Sequence, residues 1–126
     1  MNQSATDDRL NGLRVLVVED EAAISMLLED MLLDFGCEVV GPAARLQTAL
    51  EMARDEPFDL AILDVNLAGD PIYPVAEVIA GRGVPILFST GYGSGGLEDP
   101  FRDRPVVQKP YTLADLKRML VQTVGG

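Results

Sequence analysis

Asp64 closes an apolar run, Leu60-Ala61-Ile62-Leu63, and the chain then turns through Val65, Asn66, Leu67, Ala68 and Gly69. A carboxylate at the carboxyl end of a buried strand lies where open α/β sheets place their ligand sites. Two other runs end in matching groups. Val15-Leu16-Val17-Val18 leads into Glu19-Asp20, and Pro105-Val106-Val107-Gln108 leads into Lys109. Three carboxylates and one ammonium on a common rim suit a divalent cation beside a phosphoryl group. Asp20 and Asp64 each have an oxygen for Mg²⁺ (or Mn²⁺), which favours near-octahedral oxygen ligation. Glu19 is longer and reaches such an ion through a bound water, and a main-chain carbonyl after Asp64 adds a further ligand. The second oxygen of Asp64 is then a nucleophile, because transfer to a carboxylate needs positioning and charge neutralisation above all. Lys109 and the hydroxyl of Thr90, at the end of another apolar run, cover the remaining sides.

Each residue alone has an ordinary explanation. Acidic residues after a strand cap the next helix and favour its dipole. Asp64 before a loop reads as a turn former, Thr90-Gly91 as a strand end and Lys109-Pro110 as a solvated charge. Their joint placement at four strand ends argues for a site.

The elements that must position them follow from periodicity. Residues 14–19, 37–41, 59–64, 84–89 and 105–108 are Val-, Ile- and Leu-rich runs, as in parallel strands covered on both faces. Between them, Ile24, Leu27, Leu28, Met31, Leu32 and Phe35 form one stripe of a helix over 21–35, stopped by Gly36. Leu46, Ala49, Leu50 and Ala53 mark a second helix before Pro57. Pro74 fits the first turn of a third, with Val75, Val78 and Ile79 inside and Gly81 ending it. Thr112-x-x-Asp115 reads as a capping box for the last helix, whose stripe is Leu113, Leu116, Leu120 and Val124. In residues 91–104 the clustered glycines predict a helix that is short or frayed. The order is (βα)₅: an α/β, doubly wound three-layer sandwich with a parallel sheet of order 2-1-3-4-5. Residues 1–12 are expected to be a flexible tail and 13–124 one domain, with no output domain after it.

Composition narrows the partners. The 126 residues carry a formal net charge of −10 and are 48% hydrophobic, which suits one globular domain. The charge disfavours nucleic acid and anionic membrane surfaces. Cys37 is the only cysteine and histidine is absent, so an internal disulfide and histidine chemistry are excluded. The polar N-terminus lacks the apolar stretch of a secretory signal and no run is long enough to span a bilayer, so a cytoplasmic location is expected.

The segments VLVVEDE, LAILDVNL, ILFSTGY and VVQKPY, in this order and spacing, resemble the receiver domain of two-component response regulators, over residues ~13–124. The resemblance implies a flavodoxin-like fold. It implies Asp64 as phosphoacceptor, Glu19 and Asp20 as the Mg²⁺-binding acidic pair, and the main-chain carbonyl of Asn66 as a metal ligand. Thr90 is then the switch hydroxyl and Lys109 the conserved-type lysine, with Lys109-Pro110 in the cis form. The side chains of Asn66 and Tyr92 are implied to tune phosphoryl lifetime. Members often carry Tyr or Phe where this chain has Val106. Phe88-Ser89-Thr90-Gly91-Tyr92 is similar to a subgroup with a Phe-Ala-Thr-Gly-Tyr-like signature, whose members also lack that aromatic.

A phosphorelay function is thereby implied. The partners would be a sensor histidine kinase or a histidine phosphotransfer protein, and an unknown downstream protein, with the chain a monomer or weak homodimer. It would not be an enzyme beyond its own phosphotransfer and autodephosphorylation. Three rivals are weaker. An aspartyl-phosphate phosphohydrolase usually has a second Asp where Asn66 stands. A flavodoxin-like cofactor binder needs a Ser/Thr-rich phosphate loop where Glu19-Asp20 would repel phosphate. A pseudo-receiver would not be expected to keep Asp64, Thr90 and Lys109 together.

Overall fold

The computed structural model describes residues 9–91 and 97–125, and within them the chain alternates strand and helix as its apolar runs require. The order is β1 (Arg14–Val18), α1 (Ala22–Asp34), β2 (Glu38–Ala43), α2 (Leu46–Asp55), β3 (Leu60–Asp64), β4 (Asn66–Leu67), β5 (Asp70–Pro71), α3 (Tyr73–Gly81), β6 (Ile86–Thr90), β7 (Val106–Gln108) and α4 (Leu113–Gly125). Five strands form a parallel sheet of order β2-β1-β3-β6-β7. Counted over the main sheet alone this is the expected 2-1-3-4-5. The antiparallel β4–β5 hairpin, set into the connection after Asp64, was expected only as a loop.

Continuous apolar strands bury both faces because successive side chains point to opposite sides. Leu16, Val18, Ala61, Leu63, Ile86 and Phe88 join α2 and α3 in one core. Val15, Val17, Leu60, Ile62, Leu87 and Val107 join α1 and α4 in the other. The next residue on each of β1, β3 and β6 therefore faces the α1/α4 layer. Those residues are Glu19, Asp64 and Ser89, and Asp64 is the register partner of Ser89.

Two expectations are corrected. Leu10 is fully buried, the Cys37 thiol donates to its carbonyl, and Gly12 N donates to the Gly36 carbonyl. Residues 9–12 are thus packed against the domain, not part of a loose tail. Leu27, assigned to the inner stripe of α1, is 45% exposed, while Ser25, Leu28 and Leu32 face inward. Leu27 stands on the rim facing the site, and Met26 and Leu33 are 65% and 60% exposed. Tyr92 and the glycines after it lie outside the described residues. Residues 97–104 form turns, held by buried Leu97 and Phe101. Phe101 stacks on Tyr73 at 6.1 Å and meets Phe88 edge-on at 5.7 Å. Glu98 N donates to the Tyr73 hydroxyl at 3.1 Å. No described helix is long and apolar enough to cross a membrane.

Candidate functional site

Glu19 owes its position to a kink in the neighbouring strand. The pairing of β1 with β2 shifts between Leu16 and Val18, and Gly41 has φ +97°. A Cβ at Gly41 would lie 3.1 Å from both Val17 O and Ala43 N, so the kink requires glycine. Past it, the Ala43 carbonyl accepts from Glu19 N at 3.0 Å. The Glu19 carboxylate is buried and accepts from Lys109 Nζ at 3.1 and 3.3 Å, while its Oε2 also accepts from Glu21 N at 3.1 Å.

Asp64 is also buried. Its Oδ2 accepts from Lys109 Nζ at 3.3 Å and its Oδ1 from Asn66 N at 3.3 Å. The Lys109 amide donates to the Thr90 carbonyl at 2.8 Å, which fixes the start of its side chain beside the end of β6, and its peptide to Pro110 is cis as expected. Glu21 contributes a more distant ion pair to Lys109, at 3.6 Å. One ammonium thus faces two buried carboxylates. Asp20 is the most open of the three acids, and a ligand oxygen from each of Glu19, Asp20 and Asp64 falls within 4.8 Å of the others.

The electrostatics follow. Burial, then the charge of Glu19, pushes the Asp64 pKa up to about 7, although Lys109 pulls the other way. Burial lowers the Lys109 pKa, but Asp64 and Glu19 outweigh it, and the net shift is upward. A hard cation relieves the crowding of carboxylates, and an all-oxygen donor set suits Mg²⁺ or Mn²⁺. The residues therefore fit such an ion. A cleft of about 570 Å³ opens over them, with Asp20, Asp64, Thr90 and Lys109 on its polar side and Ile24 and Leu27 on an apolar lip.

Glu19, Asp20, Asp64, Thr90 and Lys109 are thus brought together as expected. Asn66 borders the cleft, but its Oδ1 accepts from Gly69 N at 2.8 Å, so its side chain closes the β4–β5 turn. Tyr92 lies outside the described residues. Sequence reasoning missed Glu21, Ser89 and Tyr111. Ser89 adjoins Thr90 and Tyr111 follows Lys109-Pro110, so adjacency to the motifs was the available signal.

A doubly wound sheet with an acidic triad and a lysine at its switch point is the arrangement of a receiver domain. The chain matches the response regulator receiver domain family over residues 15–100 and belongs to it. It is 37% identical over 107 residues to the transcriptional regulatory protein PdtaR of Mycobacterium tuberculosis. That match covers 82% of this chain but 52% of PdtaR, so the chain spans about half the length of that relative. The solution structure of SdrG from Sphingomonas melonis Fr1 superposes with a TM-score of 0.81 at 40% identity, covering 90% of this chain and 97% of that one. The BeF3-activated conformation of SdrG from Pseudomonas melonis Fr1 superposes with a TM-score of 0.74 at 42% identity, over 90% and 98%.

Proposed function

We infer that this domain is a phosphoacceptor in histidine-to-aspartate phosphotransfer, taking a phosphoryl group on Asp64 from a histidine kinase or histidine phosphotransfer protein. The observation that carries the reading is the position of Asp64, a buried carboxylate between Asp20, Glu19 and Lys109 under an open cleft. An oxygen of Asp64 attacks phosphorus, the P–N bond to the donor histidine breaks, and the imidazole leaves with the electron pair and takes a proton from water. Lys109 shifts from its carboxylate partners toward the new phosphoryl charge, and the Thr90 hydroxyl bonds another phosphoryl oxygen. Glu19, Asp20 and Asp64 would hold Mg²⁺, with the Asn66 carbonyl, and the ion would supply charge neutralisation. Hydrolysis of the acyl phosphate by water returns Asp64 and releases phosphate, so the domain catalyses its own loading and slow unloading and turns over no separate substrate.

The domain then has two states, with and without a phosphoryl group on Asp64. Ile24 and Leu27 on the lip offer a cytoplasmic protein donor an apolar surface beside the acceptor. The output is a protein contact that distinguishes the two states.

The test is intact mass after incubation with a small phosphodonor and Mg²⁺. The expected result is a gain of about 80 Da, one phosphoryl group, on the wild type. Asp64→Asn should show none, and neither should a chelated sample. An equal gain on Asp64→Asn would reject the assignment.

A further inference from the structure

Glu21 is a carboxylate at the site that neither the acidic triad nor the fold accounts for. It stands at the N-terminus of α1, where an acidic side chain is expected to cap the first turn, yet it makes no side-chain cap hydrogen bond. Its backbone holds the local structure: the amide donates to Glu19 Oε2 at 3.1 Å and the carbonyl accepts from Ser25 N at 2.9 Å. The side chain instead borders the cleft over Asp64 and lies 3.6 Å from Lys109 Nζ. It is 61% exposed there, against 8% for Lys109 and 7% for Asp64. The carboxylates that converge within 4.8 Å, among the described residues, are those of Glu19, Asp20 and Asp64, without Glu21. Glu21 is therefore an acid at the mouth of the cleft, outside the ligand set.

A charge at the mouth acts on what arrives and on what departs. Lys109 is the one cation among the described residues that line the cleft. With Mg²⁺ bound, the ion and that ammonium balance the carboxylates of Glu19, Asp20 and Asp64, and Glu21 is left as surplus negative charge. In phosphoryl transfer the attacking and leaving atoms are roughly in line through phosphorus. Asp64 attacks from the buried side, so the leaving group faces the open side, which Glu21 borders. Donors differ in the charge they deliver there. In an acyl phosphate the P–O bond breaks, and the oxygen keeps the electron pair and departs as a carboxylate. In a phosphoramidate the P–N bond breaks, and the nitrogen keeps the pair, takes a proton from water and departs as a neutral amine. A fixed carboxylate repels the first leaving group and attracts the proton gained by the second, so it raises one barrier and lowers the other.

We propose that Glu21 is a specificity-determining residue whose charge, at the mouth of the cleft, selects phosphoramidate donors, phosphohistidine among them, over acyl phosphates. It ligates no metal and does not touch the transferred group; it acts through its field on the leaving group. The inference rests on the phosphoacceptor reading above.

The experiment follows, by intact mass, the rate at which about 80 Da is gained from acetyl phosphate and, separately, from phosphoramidate. The proteins are wild type, Glu21→Gln, Glu21→Asp and Glu21→Lys, each at a Mg²⁺ level shown by calorimetry to be saturating. In Glu21→Gln the acetyl phosphate rate divided by the phosphoramidate rate should rise about twofold to fivefold, the size of one exposed charge interaction. Glu21→Lys should raise it further, and Glu21→Asp, which keeps the charge, should hold the wild-type ratio. The differences should shrink in about 0.5 M monovalent salt. The Mg²⁺ Kd of Glu21→Gln should stay within about threefold of wild type. An unchanged ratio in both Glu21→Gln and Glu21→Lys would overturn the proposal. So would equal acceleration with both donors, the mark of a simple restraint on Lys109, or a Mg²⁺ affinity as weak as that of Asp20→Asn, the mark of a ligand. If the wild type loads from both donors and the ratio does not move in the variants, only the role of Glu21 fails. If the wild type loads from neither, the phosphoacceptor reading itself fails.

Discussion

The proposed roles of Asp64, holding a cation and attacking phosphorus, both require it ionised, yet its surroundings raise its pKa from 3.8 to about 7. Mg²⁺ therefore competes with a proton. Its affinity should rise as pH climbs through 7 and level off above, being about tenfold weaker at pH 6 than at pH 8 by calorimetry. A pH-independent affinity would show that Asp64 is not the titrating ligand. The same shift acts on stability. Below about pH 4 both folded and unfolded chains hold the proton. Between 3.8 and about 7 only the folded chain does, so this group's contribution to stability falls as pH rises through that window, and the full penalty remains above it. Asp64→Asn leaves Glu19 and Lys109 as a neutral buried pair. It should raise metal-free stability at pH 8 by roughly 1–2 kcal/mol, and the gain should vanish near pH 4. Lys109→Met does the reverse, leaving two buried carboxylates without an ammonium. Its metal-free melting temperature should drop, and added Mg²⁺ should raise it by more than in wild type, as thermal unfolding with and without the ion will show.

At the scale of elements, the main sheet and the four helices were legible because their signals are local. Continuous Val/Ile/Leu runs mean two-sided burial, and Gly36, Gly81, Pro74 and the Thr112/Asp115 pair mark helix ends. The capping box forms in both directions, with Asp115 N on Thr112 Oγ1 at 3.0 Å and Thr112 N on Asp115 Oδ2 at 3.5 Å. Thr112→Ala should cost about 1 kcal/mol in chemical denaturation. The three acids and Lys109 were legible for the same reason, since each directly follows an apolar run. What was not legible depends on contacts between distant segments. The β4–β5 hairpin is held by an Asn66 side chain that was assigned to the cleft. Leu27 fits the apolar stripe of α1 yet stands on the rim, because Ser25 takes an inner position one turn from Leu28. Leu10 and Gly12 look like tail sequence until their partners, Cys37 and Gly36, are in place. Phe101 sits in a glycine- and proline-rich stretch, and only the stack with Tyr73 and Phe88 explains the order of residues 97–104. Phe101→Ala should remove that anchor at a cost of about 3 kcal/mol. Hydrogen exchange at the Glu98 amide should then accelerate far more than exchange in β1 or β3, and uniform acceleration would argue against a local role.

For the whole molecule, the charge of −10 gives cations two separate ways to stabilise the fold. One is diffuse. Self-repulsion among surface carboxylates is screened by any salt, over a Debye length of about 10 Å at 0.1 M. The other is local, because Glu19, Asp20 and Asp64 converge within 4.8 Å and one Lys109 ammonium balances only part of their charge. A monovalent salt should raise the melting temperature gradually up to a few tenths molar and then lose effect. Mg²⁺ at tenfold over its Kd should add about 1.4 kcal/mol, and this increment should persist in 0.3 M monovalent salt, where the surface charges are already screened. Asp20→Asn and Asp64→Asn should each abolish or sharply reduce that increment while leaving the monovalent response nearly intact, because each removes one of the 20 acidic side chains but a principal ligand of the site. If Mg²⁺ stabilisation faded with monovalent salt to the same extent in wild type and in both variants, the ion would be acting as a general counterion, and the convergence of strand ends would not be a metal site.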